Sequence, residues 1–285
     1  MNIDVHGILD QKLTAADIIG RGVSILGVRG SGKSNTAAVL MEELLAAGVP
    51  IAVIDTDGEY YTLKERYDIT VVGVPRYTKA DIVVNMKNVE QVADASYMHG
   101  RSIVFDVSGI TYKPARAELV LAYLARVWSL SALHRIPLVL FVEEAQNRMP
   151  QSGVGQRSES GLSTKDVLAD IASQGRKLGL SLVIIGQRSA RIDKDSLTQS
   201  EVCFLHLVRH PSDMKVYIDM IPREPAWTRE RVSKLRKGEA LVIIDDQIVK
   251  CTMRLRHTTH VGATPTLESV PNATQMSLLE LMNMK

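Results

Sequence analysis

Short apolar segments recur along the chain and alternate with longer stretches of helical periodicity. The apolar segments lie at residues 23–27, 51–55, 69–73, 102–107, 138–143, 181–186, 202–208 and 240–245. Nearly all are continuously apolar, which is typical of strands covered on both faces. Helical spacing marks residues 35–48, 115–134 and 163–179. The alternation predicts an α/β fold, a doubly wound and mostly parallel sheet with added edge strands.

Composition narrows the class of protein without assigning a function. The 285 residues suffice for one large α/β domain. No apolar run reaches the ~18 residues of a membrane-spanning helix, and the N-terminal segment lacks the pattern of a secretory signal. Two cysteines, Cys203 and Cys251, are too few for a disulfide framework, so we expect a cytoplasmic protein that does not contact a membrane. A net charge of +2 is too small to indicate nucleic-acid binding by itself.

The segment GVRGSGKS at 27–34 matches the spacing G-x-x-x-x-G-K-[ST] of a phosphate-binding loop. An apolar strand precedes it and a helix follows it, so its backbone N–H groups can point at phosphate oxygens beside the positive end of the helix. We predict that Lys33 reaches the β- and γ-phosphates of ATP and that Ser34 ligates Mg²⁺. The predicted nucleotide-binding residues are Gly27, Arg29, Gly30, Ser31, Gly32, Lys33, Ser34 and Asn35.

Two adjacent carboxylates, Glu143 and Glu144, end the apolar strand at 138–143. Burying an unpaired carboxylate is costly, which favours a role beside a metal ion and a polarised water. We predict that Glu143 serves the Mg²⁺ and that Glu144 is the general base. Asp106 also ends an apolar strand and is the alternative acid. Gln187 follows a third strand, at 181–186, and is predicted to sense the γ-phosphate or the water.

Five segments, in this order, resemble the HerA/FtsK group of P-loop ATPases. They are GVRGSGKSNTA, IDTDGEYYTL at 54–63, IVFDVSGI at 103–110, FVEEAQN at 141–147 and SQGRKLGLSLVIIGQR at 173–188. Asp55, Gly58, Glu59 and Tyr60 match the D-x-x-G-E-Y element characteristic of HerA-like proteins. The resemblance covers roughly residues 15–255 and is far more specific than the phosphate-binding loop alone.

The resemblance implies a RecA-like core, a homo-oligomeric ring with six as the expected number of subunits, and translocation of double-stranded DNA through its channel. It also implies hydrolysis at subunit interfaces, with Arg176, or alternatively Arg188, as the arginine finger. HerA proteins normally carry an N-terminal β-barrel, and only about twenty residues precede the first strand here. A nuclease or other effector partner is therefore less firmly implied, and the length is closer to viral and plasmid relatives that package or transfer DNA. We expect the ATPase domain at 1–256 and a tail with a short amphipathic helix at 257–285.

Two further segments are candidate DNA contacts. The loop at 147–161 follows the acids directly and carries Arg148, Gln151, Gln156 and Arg157, which suit phosphate contacts. An ordinary surface loop is nearly as good an interpretation. A basic stretch at 223–237 fits DNA, a neighbouring subunit or simply a solvated helix face.

Two other functions fit the same sequence. One is a nucleotide-dependent assembly or scaffold module, in which ATP closes the ring and slow hydrolysis resets it. The other is a monomeric nucleotide or small-molecule kinase, for which the sequence shows no acceptor pocket or lid.

Overall fold

The computed structural model describes residues 2–3, 13–152, 162–221, 223–245 and 247–261. The strands in these ranges are β1 (Asn2–Ile3), β2 (Leu13–Thr14), β3 (Gly22–Leu26), β4 (Ile51–Asp55), β5 (Thr70–Gly73), β6 (Ile82–Val83), β7 (Ile103–Asp106), β8 (Leu138–Val142), β9 (Leu180–Gly186), β10 (Ser200–Leu205), β11 (Glu239–Ile244) and β12 (Gln247–Thr252). The α-helices are α1 (Lys33–Ala46), α2 (Val89–Met98), α3 (Lys113–His134), α4 (Thr164–Gln174), α5 (Lys194–Thr198), α6 (Pro211–Met220) and α7 (Pro225–Ser233). None of these helices has the length and hydropathy needed to span a lipid bilayer.

Ten of the described strands form one sheet in the order β12-β11-β10-β3-β9-β8-β4-β7-β5-β6. The pairs from β10 to β6 are parallel, whereas β11 and β12 add antiparallel pairs at one edge. The parallel strands therefore end at the same edge of the sheet, which we call the carboxyl edge. The predicted fold class, a doubly wound and mostly parallel sheet with added edge strands, is confirmed.

The two faces of the sheet are buried in separate cores, as the continuous apolar runs predicted. On β4, Ile51 and Val53 pack into the core that contains α1, whereas Ala52 and Ile54 pack into the core that contains α2, α3 and α4. Side chains of a strand alternate between its two faces, so every side chain is buried when both faces are covered. All five residues of β4 are accordingly buried.

The helix α3 shows how local sequence fixes an element. Pro114 lies in its first turn, where the missing N–H is not needed. Arg135 ends the helix in the left-handed conformation with a φ of 52°, and its N–H donates to the carbonyl of Ser131. Tyr123 from the same helix packs edge-on against Phe105 of β7, with ring centroids 5.2 Å apart. The helix thereby holds β7 in place beneath it.

The packed part of the chain continues past the domain boundary expected at residue 256. The backbone N–H groups of His257 and Thr258 donate to the carboxylate of Glu42 on α1, and that of Thr259 donates to Glu65. We call residues 253–260 the strap, because they cross from β12 over α1 to the segment after β4. The tail beyond residue 261, including its expected amphipathic helix, lies outside the described residues.

Candidate active site

The loop between β3 and α1 has the shape that its glycines allow. Gly27 and Gly32 have φ values of 155° and 116°, where a side chain is strained. A Cβ on Gly27 would lie 2.6 Å from the Cβ of His206, and one on Gly32 would lie 3.0 Å from the backbone of Gly238. The loop therefore packs closely against β10 and the turn before β11, and these glycines allow that packing.

The remaining loop residues surround the amino end of α1. Arg29 and Gly30 are exposed at the tip, Ser31 is buried, and Ser34 is partly exposed in the first turn of the helix. The Lys33 side chain is buried, and its Nζ donates to the carbonyl of Val28 at 3.1 Å. The Lys33 amine therefore curls over the loop, where an incoming phosphate would meet it.

The charge on Lys33 is balanced by acids from other strands. Burial lowers the pKa of Lys33, whereas the negative charges of Glu144, Glu143, Glu59 and Asp57 raise it. These acids come from the end of β8 and the loop after β4, so the carboxyl edge brings them together around one lysine. The amine and the acids would face opposite sides of a bound γ-phosphate.

Glu144 is held between two glutamine side chains. The Nε2 atoms of Gln187 and Gln146 donate to the two different oxygens of its carboxylate. Glu144 has a left-handed backbone with a φ of 50°, which is uncommon for a residue with a side chain and re-aims it just after β8. Burial raises the pKa of Glu144, while Gln187 and Lys33 lower it. Such an environment suits a base, since the raised pKa favours proton uptake.

The strand order explains why Gln187 meets Glu144. β9 lies between β3, which leads into the phosphate-binding loop, and β8, which leads to Glu144. Gln187 follows β9 directly and therefore stands between the phosphate-binding loop and Glu144. The sequence predicts Glu144 as the general base and Gln187 as a sensor of the γ-phosphate or the water. In the structure the two side chains are hydrogen-bonded to each other.

Glu143 is used differently from Glu144. Its carboxyl group is buried and accepts hydrogen bonds from the N–H groups of Thr56 and Asp57 and from the hydroxyl of Tyr60. Burial and the neighbouring Asp55 raise the pKa of Glu143 well above its usual value. The predicted metal role of Glu143 remains a prediction, but in this structure the group fixes the D-x-x-G-E-Y loop to the strand that carries Glu144.

Asp55 organises the same loop from within. Its carboxylate accepts hydrogen bonds from the N–H groups of Gly58 at 2.7 Å and Tyr60 at 2.9 Å, and it is hydrogen-bonded to Glu143. Burial and the charge of Asp106 raise the pKa of Asp55 to about 7. The pKa values of both carboxyl groups are raised, because burying two adjacent negative charges without a cation is unfavourable. Backbone N–H donors offset part of the cost of burying these acids.

Asp106, the alternative acid, lies farther from the phosphate-binding loop. Its strand β7 is separated from β3 by β9, β8 and β4, and neighbouring strands lie ~5 Å apart. The Asp106 carboxylate accepts a hydrogen bond from Ser108 N–H at 2.8 Å, and burial raises its pKa. The geometry favours Glu144 over Asp106 as the base.

The candidate arginines occupy different edges of the sheet. Arg188 follows Gln187 at the carboxyl edge, and its Nε lies 3.2 Å from the buried carboxylate of Asp213. Arg176 precedes β9 at the opposite edge, with 77% of its side chain exposed and its guanidinium 3.5 Å from Glu201. A seven-residue strand is roughly 20 Å long, so Arg176 cannot reach the phosphate-binding loop of its own chain.

The predicted DNA loop is only partly described. Arg148 is buried, which lowers its pKa to about 10, so its expected role as an exposed phosphate contact is wrong. Gln151 is exposed, and Gln156 and Arg157 lie outside the described residues. Asn35 likewise directs its side chain away from the loop: its amide group bonds to the carbonyl of Arg254 at 2.7 Å and to the N–H of Arg256 at 3.0 Å.

Two buried polar residues around α1 escaped the sequence analysis. Glu42 is fully buried and receives the guanidinium of Arg254 at 2.8 Å together with backbone N–H groups of the strap. An acid inside the apolar pattern of α1 was the available signal, but its partner lies over 200 residues away. His206 is the second, and it lies directly beneath the phosphate-binding loop.

His206 is fixed as a neutral imidazole. Its Nδ1 lies 2.9 Å from the carbonyl of Glu239 and therefore carries the proton, so Nε2 accepts from the hydroxyl of Thr36 at 3.0 Å. Burial lowers the pKa of His206 to about 4. The imidazole links the first turn of α1 to β10 and the start of β11.

Replacing His206 with Gln should remove one component of the pH dependence of stability. The unfolded histidine takes up a proton below its ordinary pKa of about 6.5, whereas the folded one does not until about pH 4, so this group destabilises the fold as pH falls through that window. Between pH 7 and pH 5 we expect wild type to lose about 2 kcal/mol more unfolding free energy than the variant. Urea unfolding at both values measures the difference, and equal losses in both proteins would contradict it.

Comparison with known proteins supports the resemblance to HerA-like P-loop ATPases. Residues 8–145 match the family model "Helicase HerA, central domain", and this range includes the phosphate-binding loop, the D-x-x-G-E-Y element and Glu144. The DNA double-strand break repair helicase HerA of Sulfolobus acidocaldarius is 21% identical over 79% of this chain. The chain spans 62% of the length of that relative. An adenylyl-sulfate kinase of Deinococcus deserti is 31% identical over 53% of this chain and 70% of the kinase.

The fold also has a solved counterpart. The genome packaging NTPase B204 of Sulfolobus turreted icosahedral virus 2, in complex with ATP-gammaS, superposes with a TM-score of 0.55 at 16% identity. The match covers 82% of this chain and 97% of that one. The range that matches the family model contains the phosphate-binding loop and Glu144, which the structure brings together at the carboxyl edge. The chain has a HerA-like P-loop ATPase core.

Proposed function

We propose that the protein hydrolyses ATP to ADP and phosphate, with Glu144 as the general base. The observation that carries this proposal is the position of Glu144, held by Gln187 and Gln146 and balanced electrostatically by Lys33. A water between the γ-phosphate and Glu144 would lose its proton to the carboxylate while Gln187 reports the state of the phosphate. Glu144 would activate the water, and the phosphate-binding loop with Lys33 would hold the phosphate that the water attacks.

The residues of this site fit a magnesium ion. The Ser34 hydroxyl, partly exposed in the first turn of α1, is a hard oxygen ligand that would help to hold the ion. A bound magnesium ion would supply positive charge next to the phosphates. Glu143 is buried and held by the 55–60 loop, so we propose that it acts on the ion through water or through that loop. Asp57, exposed beside Lys33, adds negative potential on the same side.

We propose further that hydrolysis takes place between subunits of a homo-oligomeric ring, six being the expected number. The exposed Arg176 lies on the edge of the sheet opposite to its own phosphate-binding loop, in a cleft that also contains Arg21 and Glu201. A head-to-tail contact would bring the carboxyl edge of one subunit against this cleft of the next. Arg176 would then stabilise the charge on the neighbour's γ-phosphate.

The motion that this ATPase drives is, in our proposal, translocation on double-stranded DNA. The HerA relatives are named as DNA double-strand break repair helicases, and the B204 protein as a genome packaging NTPase. Helix α7 and its flanks supply exposed cations, including Arg229, and Arg231 stacks over Trp227. Such a basic surface suits phosphate contacts that do not read sequence. Repair, packaging and transfer of DNA would all use this engine, and a nuclease or other effector would couple to it.

The rate of ATP hydrolysis with and without duplex DNA tests this proposal. A motor should be stimulated several-fold by duplex DNA, and the stimulation should fall as salt rises because counterions compete for the phosphates. The scaffold alternative predicts a slow rate that duplex DNA leaves unchanged. Charge reversal at Arg229 and Arg231 should flatten the salt dependence if α7 contacts the DNA.

The match to an adenylyl-sulfate kinase favours one second candidate, transfer of the γ-phosphate to a small alcohol. A kinase excludes water and needs an acceptor, whereas Glu144 stands where it would activate water. Release of inorganic phosphate in the absence of any acceptor separates the two functions. If ADP forms only when adenylyl sulfate or a similar alcohol is added, the kinase is the correct assignment.

A further inference from the structure

The phosphate-binding loop is bordered by a continuous hydrogen-bonded wall on the side away from Glu144. The carbonyl of Ser31 accepts from the N–H of Gly238 at 2.9 Å, and the carbonyl of Gly238 accepts from the N–H of Met253 at 2.9 Å. From Met253 the strap continues past Asn35, which bonds to the backbone on both sides of Leu255. The wall therefore runs from the loop itself to residue 255.

The direction of a bound nucleotide follows from the two ends of the site. The γ-phosphate must lie toward Glu144 and Gln187, which come from β8 and β9 on one side of β3. The α-phosphate and the nucleoside then leave toward the other side, where β10, β11 and β12 lie. That is the side of the wall. Asn35 follows Lys33 and Ser34 directly, and its side chain bonds to the backbone on both sides of Leu255, so Leu255 borders the phosphate-binding loop on this side.

Leu255 is an exposed apolar side chain on a backbone segment that is held in place by hydrogen bonds. Leu255 is 81% exposed, whereas the side chains on either side of it are turned inward: Arg256 is buried and the Arg254 side chain is 10% exposed. Arg254 pairs with Glu42 and Glu43, and Arg256 bonds to Thr62. The alternation fixes Leu255 outward, so that its position is set before any ligand arrives.

We propose that Leu255 forms the platform for the purine base of the nucleotide, with Asn35 holding the strap in register with the phosphate-binding loop. This inference rests on the proposed function, because it takes the γ-phosphate to face Glu144. The platform makes an apolar contact with the flat face of the base and offers no hydrogen bond to its edge. It therefore favours nucleotides over bare phosphates without distinguishing adenine from guanine.

Calorimetric titration with ADP and with pyrophosphate, each with Mg²⁺, tests the platform without requiring hydrolysis. Leu255→Ala should weaken ADP binding about fivefold, since part of an apolar contact is lost, and leave pyrophosphate binding unchanged. Leu255→Phe should tighten ADP binding, because an aromatic ring stacks on a base. Leu133→Ala is the matched control: Leu133 is 77% exposed near the end of α3, and its variant should match wild type for both ligands.

The outcomes distinguish a failure of the Leu255 platform from a failure of the proposed ATPase function. If Leu255→Ala weakens both ligands alike, or neither, the platform assignment is overturned while the ATPase stands. The same holds if wild type binds pyrophosphate as tightly as ADP. If wild type binds neither ligand, the nucleotide site itself is refuted and the platform with it.

Discussion

The Glu144→Gln variant is expected to bind ATP as wild type does and to hydrolyse it at least ~100-fold more slowly. The substitution keeps the size of the side chain, and its one amide oxygen can still accept from one of the two glutamines. The other glutamine must turn its amide group so that its oxygen accepts from the new NH2. An amide cannot accept the proton of the attacking water. Because Lys33 and the loop are unchanged, the affinity for ATP should stay within about twofold. Phosphate release in steady state and ATP titration measure the two quantities.

A matched control excludes a general effect of removing one negative charge. Glu90→Gln makes the same chemical change at an exposed position of α2, which follows β6 at the end of the sheet remote from β8, and should retain the full rate. If Glu144→Gln also retained the full rate, the base would be another group, and Asp106 would return as a candidate.

Mixing two inactive variants should restore hydrolysis if Arg176 acts across a subunit interface. An Arg176→Ala subunit keeps its phosphate-binding loop, and a Lys33→Ala subunit keeps its arginine. Each alone should lose at least ~1,000-fold in rate, because one lacks the arginine finger and the other the phosphate contact. In an equimolar mixture, about one quarter of the head-to-tail interfaces join an intact loop to an intact arginine, and the rate should recover accordingly.

The mixture distinguishes Arg176 from Arg188. Arg188 lies at its own carboxyl edge beside the buried carboxylate of Asp213, so it belongs to the same subunit as Glu144. Arg188→Ala combined with Lys33→Ala gives the control for that arrangement and should show no recovery. An Arg176→Ala mixture that stays inactive at every ratio would remove the trans assignment.

The sequence predicts the carboxyl edge well because each element there is local. The phosphate-binding loop is one contiguous segment, Gln187 directly follows β9, and Glu144 lies two residues after the end of β8. Parallel strands end at one edge, so residues at strand ends must meet. The pattern does not give the order of the strands in the sheet, so the position of β9 between β3 and β8 is known only from the structure.

The residues that sequence reasoning missed depend on contacts across the whole chain. His206 and the strap contact α1 from 170 or more residues away, and no periodicity indicates such a pairing. Arg148 shows the opposite error. A polar loop composition predicted an exposed arginine, but the packing of Met149 and Pro150 draws that part of the loop into the fold. Burial of a long side chain depends on tertiary neighbours that composition does not contain.

The central claim is that a complete catalytic site contains Glu144 from one subunit and Arg176 from the next. Electron cryomicroscopy of Glu144→Gln with ATP, Mg²⁺ and duplex DNA tests it most directly. We predict a ring in which each γ-phosphate contacts Lys33 and Gln187 of one subunit and the guanidinium of Arg176 from its neighbour. Single subunits that bind ATP with Arg176 exposed to solvent would contradict the claim.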